Sequence, residues 1–352
     1  MEVCPVSREA YAPLAEYLSA FERDSRTPEA WLERFRIWWD ANPAFSEADP
    51  RGWILKDGNK IAGFLGNIPF FFSSEGRPVR AYTASTWRVL PDYRGYSLDL
   101  LRKFMRFTQN HFSVCTTPAP NVSEIFKKLG YEMIPRGDDR TGWSVIHFEN
   151  VFGQVRGENF LSRLAAGIIS GPLGWAQDRR LGAPGQEDRA RECSAAGPAF
   201  DDLWEHTKNL YDFTDLRTSE ALNWYCFADS ARRKILFGTF QGDRLEAFMI
   251  LSPRRAGRLK ILECLDLWPE PGQDALRALL AGVRRYAREH AYDRISFPGF
   301  FSESNRRILK RLIFFKKKAK PRCEFYRMPG SKGESGTKGR IYFHYGEGDI
   351  AL

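Results

Sequence analysis

Between residues 81 and 107 the chain changes its hydrophobic period once, and the rest of the sequence is arranged around that change. Residues 81–90 mix β-branched and aromatic side chains as a strand does. Pro91-Asp92-Tyr93-Arg94-Gly95 reads as a turn, because Pro fixes φ and Gly gives freedom at the bend. From Leu98 onward, Leu98, Leu101, Phe104 and Met105 recur at helical spacing, with Arg102, Lys103 and Arg106 on the other face. Strand, tight turn and helix in that order point backbone N–H groups at an anion.

Upstream, Ser7 can cap a helix to about residue 21, and Thr27-Pro28 opens a second. Trp31, Phe35, Trp38 and Trp39 make an aromatic stripe on that helix, a pattern that core packing explains more often than a ligand does. Residues 52–56 and 60–72 read as strands joined by Asp57-Gly58, a hairpin signal. Downstream, 112–117 is a strand, 121–129 a short helix with Gly130 as its C-cap, and 142–148 a strand expected to close the unit. Residues 151–197 are interrupted by Gly and Pro and read as a linker. Its apolar run, 160–169, packs on a domain or touches a membrane surface.

From residue 199 the same order begins again. Residues 199–211 and 220–228 read as helices, the second capped by Ser219. Residues 235–240 and 245–251 form a hairpin, and 260–268 a strand ending Leu267-Trp268-Pro269, which echoes Val89-Leu90-Pro91. A long helix over 273–290, a strand over 294–297, a helix opened by Ser304-Asn305 and a strand over 341–345 complete the repeat. The expected domains are therefore 1–150 and 198–352, with 151–197 between them.

A chain of 352 residues with 43% hydrophobic and 14% aromatic residues has material for two cores. The formal charge of +9 favours an anionic partner. Six scattered cysteines without a C-x-x-C pair give no zinc pattern and fit a reducing compartment. No signal-peptide pattern and no membrane-length apolar run is visible, so the expected place is the cytoplasm.

Val89-x-Pro91-x-x-Arg94-Gly95 resembles the pyrophosphate loop of the GNAT superfamily of acyl-CoA-dependent N-acyltransferases. Ser97 and Asp99 stand where that family usually has Gly and Gly or Ala. Asn121 and Phe126-Lys127-Lys128-Leu129-Gly130-Tyr131 are similar to a second family signature, with Phe126 where many members carry the Tyr that protonates the leaving thiolate. The resemblance implies an α/β fold of two GNAT-like domains in tandem, each a mixed, mostly antiparallel sheet flanked by helices. It implies that Val89, Arg94, Gly95, Tyr96, Ser97, Leu98 and Asn121 hold the acyl donor, an acyl-CoA such as acetyl-CoA or an acyl carrier protein, without a metal. It also places Glu263 where GNAT members often hold a catalytic glutamate, with Ser85 as its first-domain equivalent and Asp266 as runner-up. Tyr93, Tyr96 and Tyr131 are the tyrosines near enough in sequence to replace the missing acid. The tandem layout looks like acyltransferases associated with bacterial cell-surface polysaccharide, themselves related to Fem-type aminoacyl transferases. The aromatic residues Trp31, Trp38, Trp39 and Trp224 of the early helices and the carboxylate of Glu263 lead to an expected amine acceptor, an amino sugar or a peptide amine, in a cleft between the domains. Two readings stand beside it. One is transfer from a charged tRNA held by the basic run between Arg306 and Arg322. The other is a degenerate, non-catalytic tandem that binds acyl-CoA or a partner.

Overall fold

The computed structural model describes residues 1–21, 26–115, 120–133, 140–151, 186–269, 272–298, 315–318, 325–327 and 340–342, with single helical positions at 172, 174, 176 and 179. β1 (Glu2–Pro5) leads into α1 (Tyr11–Ser19) and α2 (Pro28–Phe35). At α2 the sequence signal holds: Thr27 accepts from the Ala30 N–H at 3.3 Å, and Pro28 takes the first helical position. The helix runs on through a π-turn over Arg36–Asp40 that carries the buried Trp38 and Trp39.

β2 (Gly52–Asp57), β3 (Lys60–Ser74) and β4 (Arg77–Val89) form an antiparallel meander. The turn Pro91–Tyr96 winds as a 3-10 helix into α3 (Ser97–Phe107). β5 (Phe112–Cys115), α4 (Pro120–Lys128), β6 (Glu132–Met133) and β7 (Arg140–Val145) follow. Next come β8 (Ala190–Cys193), α5 (Pro198–Thr207), β9 (Phe213–Asp215) and α6 (Ser219–Phe227). β10 (Ile235–Gln241), β11 (Arg244–Ala256), β12 (Leu259–Trp268), α7 (Gln273–Glu289) and β13 (Arg294–Pro298) repeat the earlier meander, helix and strand. β14 (Phe315–Lys318), β15 (Phe325–Arg327) and β16 (Ile341–Tyr342) end the described chain.

These strands make two sheets. The first runs β1-β2-β3-β4-β5-β15-β6, with β9 joined to β3 and β16 to β9; the second runs β14-β7-β13-β12-β11-β10-β8. One apolar core lies between them, shared by α1, α2, α5 and α6 and by inward residues of both sheets, among them Phe64, Ile68, Phe248, Leu265 and Trp268. α3 and α4 cover the far face of the first sheet, and α7 covers the far face of the second. The Trp31, Trp38 and Trp39 stripe is part of the shared core, as its helical spacing suggested. The halves are also stitched polar group to polar group. The Trp224 indole donates to the Ile37 carbonyl at 2.9 Å, and Arg36 donates to the Ala228 carbonyl at 2.8 Å.

Three expectations need correction. The strand expected to close the first unit, β7, is paired in the second sheet, between β13 and β14. The buried Arg284 of α7 fixes it there, donating to Ser144 Oγ at 2.7 Å and to the Val145 carbonyl at 3.0 Å. In return β15, from the far end of the chain, completes the first sheet between β5 and β6. The linker expected over 151–197 is shorter at its C-terminal side, because Ala190–Cys193 pairs with β10 as an edge strand. Thr218, rather than Ser219, caps α6, accepting from the Ala221 N–H. The helix expected from Ser304, the apolar run 160–169 and the basic run between Arg306 and Arg322 lie outside the described residues, apart from Phe315–Lys318, which forms β14.

Both sheets split at corresponding places. β4 and β5 run parallel and, among the described residues, pair through Ala81↔Phe112, Tyr82↔Ser113 and Thr83↔Val114, although β4 continues to Val89. β12 and β13 likewise stop pairing after Glu263↔Ser296, although β12 continues to Trp268. Just beyond each split the long strand carries an extra residue against its antiparallel neighbour, a bulge.

Candidate functional site

The first split runs from the Thr83 rung to the turn that introduced the sequence. From Thr83 to Val89 β4 runs on for about 20 Å, and among the described residues β5 does not pair with it there. At the apex the bulge turns two successive side chains to one face, so that Ser85 Oγ and Thr86 Oγ1 lie 3.2 Å apart. Thr86 has φ of +52°, a left-handed conformation that costs a β-branched residue about 1–2 kcal/mol. At the other end Arg94, Gly95 and Tyr96 are exposed, and Leu98 is 45% exposed on the first turn of α3. No side chain caps that helix; it continues from the 3-10 turn, with the Ser97 N–H donating to the Arg94 carbonyl, so the positive end of its dipole lies at that turn. Asp99, the acid that would compete there with an anion, is drawn to Arg102 at 2.7 Å.

Beside the last rung of that ladder lies a cavity between the two halves. Thr83 belongs to its wall, together with Ile68, Phe71, Leu216, Trp224 and Ile250. Its floor is ionic. Arg217 Nε donates to Asp266 Oδ2 at 2.8 Å, and Arg217 Nη1 donates to Thr214 Oγ1 at 2.7 Å and to the Asp215 carbonyl at 2.8 Å. Tyr342 donates to Asp266 Oδ1 at 2.8 Å, and the guanidinium lies 4.1 Å over the Trp268 ring. Burial works against the Arg217 charge, but Asp266 and then Asp215 outweigh it and raise its pKa. Burial, followed by Asp266, pushes the Tyr342 phenol well above its ordinary value, so it remains a donor.

Three solved structures share the arrangement of the whole chain. A GCN5-related N-acetyltransferase from Anabaena variabilis superposes with a TM-score of 0.57 and 14% identity, covering 93% of this chain and 72% of that one. One from Kribbella flavida gives 0.57 and 14%, covering 94% and 72%. The N-myristoyltransferase of Saccharomyces cerevisiae, solved with bound myristoyl-CoA, gives 0.52 and 12%, covering 93% and 83%. No protein-family model and no curated protein matches the sequence. The likeness is one of fold. The molecule is two GNAT-like lobes in tandem, each a mixed, mostly antiparallel sheet flanked by helices.

Within this GNAT-like frame the candidate residues fall into two groups. Val89, Arg94, Gly95, Tyr96, Ser97 and Leu98 stand together on the first lobe's turn, with Ser85 and Thr83 on the strand that leads to it. Asn121 lies in α4, and its side chain is outside the described residues. Glu263 stands apart. It is ion-paired with Arg254 across the β11–β12 ladder of the second lobe, and it is absent from the cavity wall. Asp266 reaches the cavity instead. Strict alternation would set those two acids on opposite faces, but the bulge at Leu265 adds a residue and turns Leu265 and Asp266 to the same side. No residue type marks that bulge in the sequence, and the cluster partners Arg217 and Tyr342 carry no local motif.

Among the candidate acids, Tyr93 donates to Asp57 at 2.8 Å and Tyr96 is exposed. Tyr131 is buried edge-on against Phe126, 2.9 Å from the Ser113 hydroxyl, one rung below the split. Burial raises its phenol pKa and keeps it protonated. Tyr342, on β16 of the first sheet, bonds across the shared core to Asp266 and, at 3.3 Å, to the Leu267 carbonyl of β12. Among the described residues no group of His, Cys, Asp and Glu is arranged to hold a metal ion, and no helix is long and apolar enough to cross a membrane.

Proposed function

We propose that the protein is an N-acyltransferase that moves an acyl group from a thioester donor, an acyl-CoA or an acylated carrier protein, to an amine. The observation that carries this reading is the double place of Thr83. It is the last rung of the β4–β5 ladder and also part of the wall of the interlobe cavity. A donor with its phosphates at Arg94 and the first turn of α3, and its arm along residues 84–89, ends its thioester at that wall. An amine in the cavity then meets the thioester carbonyl at the Ser85–Thr86 bulge.

In the reaction the amine nitrogen forms a bond to the carbonyl carbon, the carbon–sulfur bond breaks, the amine gives up one proton and the sulfur gains one. The hydroxyls of Thr83, Ser85 and Thr86 hold the water that takes the amine's proton. Glu263, held by Arg254, is replaced in the base role by this water and by Asp215 at the cavity floor. Tyr131 supplies the proton to sulfur in place of the residue at Phe126. The second lobe serves the acceptor.

Release of free thiol from acetyl-CoA, longer acyl-CoAs and an acylated carrier protein, measured against an amine panel, tests the reaction. Thermal melts test the donor site: acyl-CoA is expected to raise the melting temperature of wild type and of Gln273→Glu, and to leave Arg94→Glu unmoved. Equal protection of both variants removes the donor from the first lobe's turn.

A further inference from the structure

The outer face of α3 carries side chains that the fold does not use. Leu100, Leu101 and Phe104 turn inward to the core beneath the first sheet. Helical spacing sets Leu98, Arg102 and Arg106 in a row on the opposite side, with Lys103 beside them, and all four are exposed. Asp99, the one carboxylate of the helix, is drawn to Arg102 at 2.7 Å. Lys103 and Arg106 have no ion-pair partner among the described residues. The row begins at two large apolar side chains, Tyr96 and Leu98, each 45% exposed. A basic strip ending in an apolar pair matches an acidic protein surface with an apolar centre.

The turn in front of this strip limits what donor it can hold alone. A 3-10 turn closes its own i→i+3 bonds, and here the Tyr93 N–H donates to the Leu90 carbonyl and the Ser97 N–H to the Arg94 carbonyl. Fewer amides are left for phosphate, and Asp92 adds an exposed carboxylate beside Arg94. CoA brings a diphosphate and a further phosphate on its ribose, all of which need donors or cations. A carrier protein presents the same pantetheine arm through a single phosphodiester, and the rest of its affinity comes from protein contacts.

We infer that the outer face of α3 docks an acidic acyl carrier protein, with Tyr96 and Leu98 as the apolar contact and Arg102, Lys103 and Arg106 as the charged one. As a statement about the donor this rests on the acyl-transfer reading; as a statement about binding it is tested without turnover. Calorimetry on the full-length protein would compare an unacylated bacterial fatty-acid carrier protein bearing its phosphopantetheine arm with free CoA. The carrier is expected to bind at least about tenfold tighter than CoA. Lys103→Glu with Arg106→Glu is expected to weaken the carrier at least about tenfold and to leave CoA unchanged. Should that protein not fold, Lys103→Gln with Arg106→Gln reads the same loss at smaller size. The control, Arg232→Glu with Arg244→Glu, removes the same charge from exposed positions on the second lobe and is expected to leave carrier binding unchanged. No carrier binding, CoA binding as tight as the carrier's, or equal weakening by the control overturns the inference. A carrier bound at α3 whose acyl thioester never releases thiol to any amine leaves this inference standing and overturns the acyl-transfer reading. Thiol release from acyl-CoA without carrier binding does the reverse.

Discussion

Lys234 is a cation placed almost out of reach of water. Its Nζ donates to the Tyr225 carbonyl at 2.6 Å and lies 4.2 Å from the centre of that ring, and burial pulls its pKa down to about 8. Between that value and the ordinary lysine value near 10.5, the unfolded chain holds a proton that the native one has shed. Lys234 therefore penalises the fold below pH 8, and the penalty is relieved as pH rises. Urea melts of wild type and Lys234→Met between pH 7.5 and 9.5 are expected to diverge in wild type's favour, by at most about 1.4 kcal/mol per pH unit. A pH-independent difference would show that the amine keeps its proton in the fold throughout this range, as the unfolded chain does. At this scale the sequence was legible where a residue's role is local, as with Thr27, Pro28 and the apolar face of α3. It was illegible where the role is set by a distant partner. Glu263 has the right residue type on the right strand, yet Arg254 on the neighbouring strand claims it; Asp266 is made by Arg217 and Tyr342, 49 and 76 residues away.

The bulge in β4 is the element on which the site turns. An extra residue brings Ser85 and Thr86 to one side, and the left-handed backbone at Thr86 is the cost of doing so. Thr86→Gly is expected to hold stability constant or raise it by up to about 1 kcal/mol, since glycine accepts that conformation freely while adding chain entropy to the unfolded state. Turnover is expected to fall at least about tenfold, about 1.4 kcal/mol in the barrier, with Thr86→Val falling alike because it loses the same hydroxyl. Urea melts and thiol release measure the two effects, and a clear loss of stability in Thr86→Gly would deny the strain. The strands, hairpins and helices around the bulge could be read from period and turn residues, because Asp57-Gly58 and Gln241-Gly242-Asp243 fix their registers locally. The bulges could not, since alternation shows which residues face which way only while no residue is extra.

Across the whole molecule, the tandem repeat was visible in the order of elements, but their membership was not. β7 and β15 are short, and each would extend its own lobe's sheet as well by pattern as it extends the other's; only the buried Arg284 and the ladder to β13 show where β7 belongs. Residues 186–352 made alone would place β13 and β14 on either side of a missing strand. That fragment is expected to lack a cooperative melt, and to recover one when produced together with residues 1–151. A stable, cooperative fragment by itself would contradict the exchange. The same crossing of strands sets a timetable for biosynthesis. The ribosome delivers β5 about two hundred residues before β15 and β7 about 150 before β13, so the first sheet waits with an open edge, and β7 without its neighbour, while much of the second half is made. Neither lobe can be finished while the other is still being made. A long pause in translation between the two halves would thus leave unpaired β edges exposed, and such a nascent chain depends on holding factors more than one whose domains close in the order they emerge.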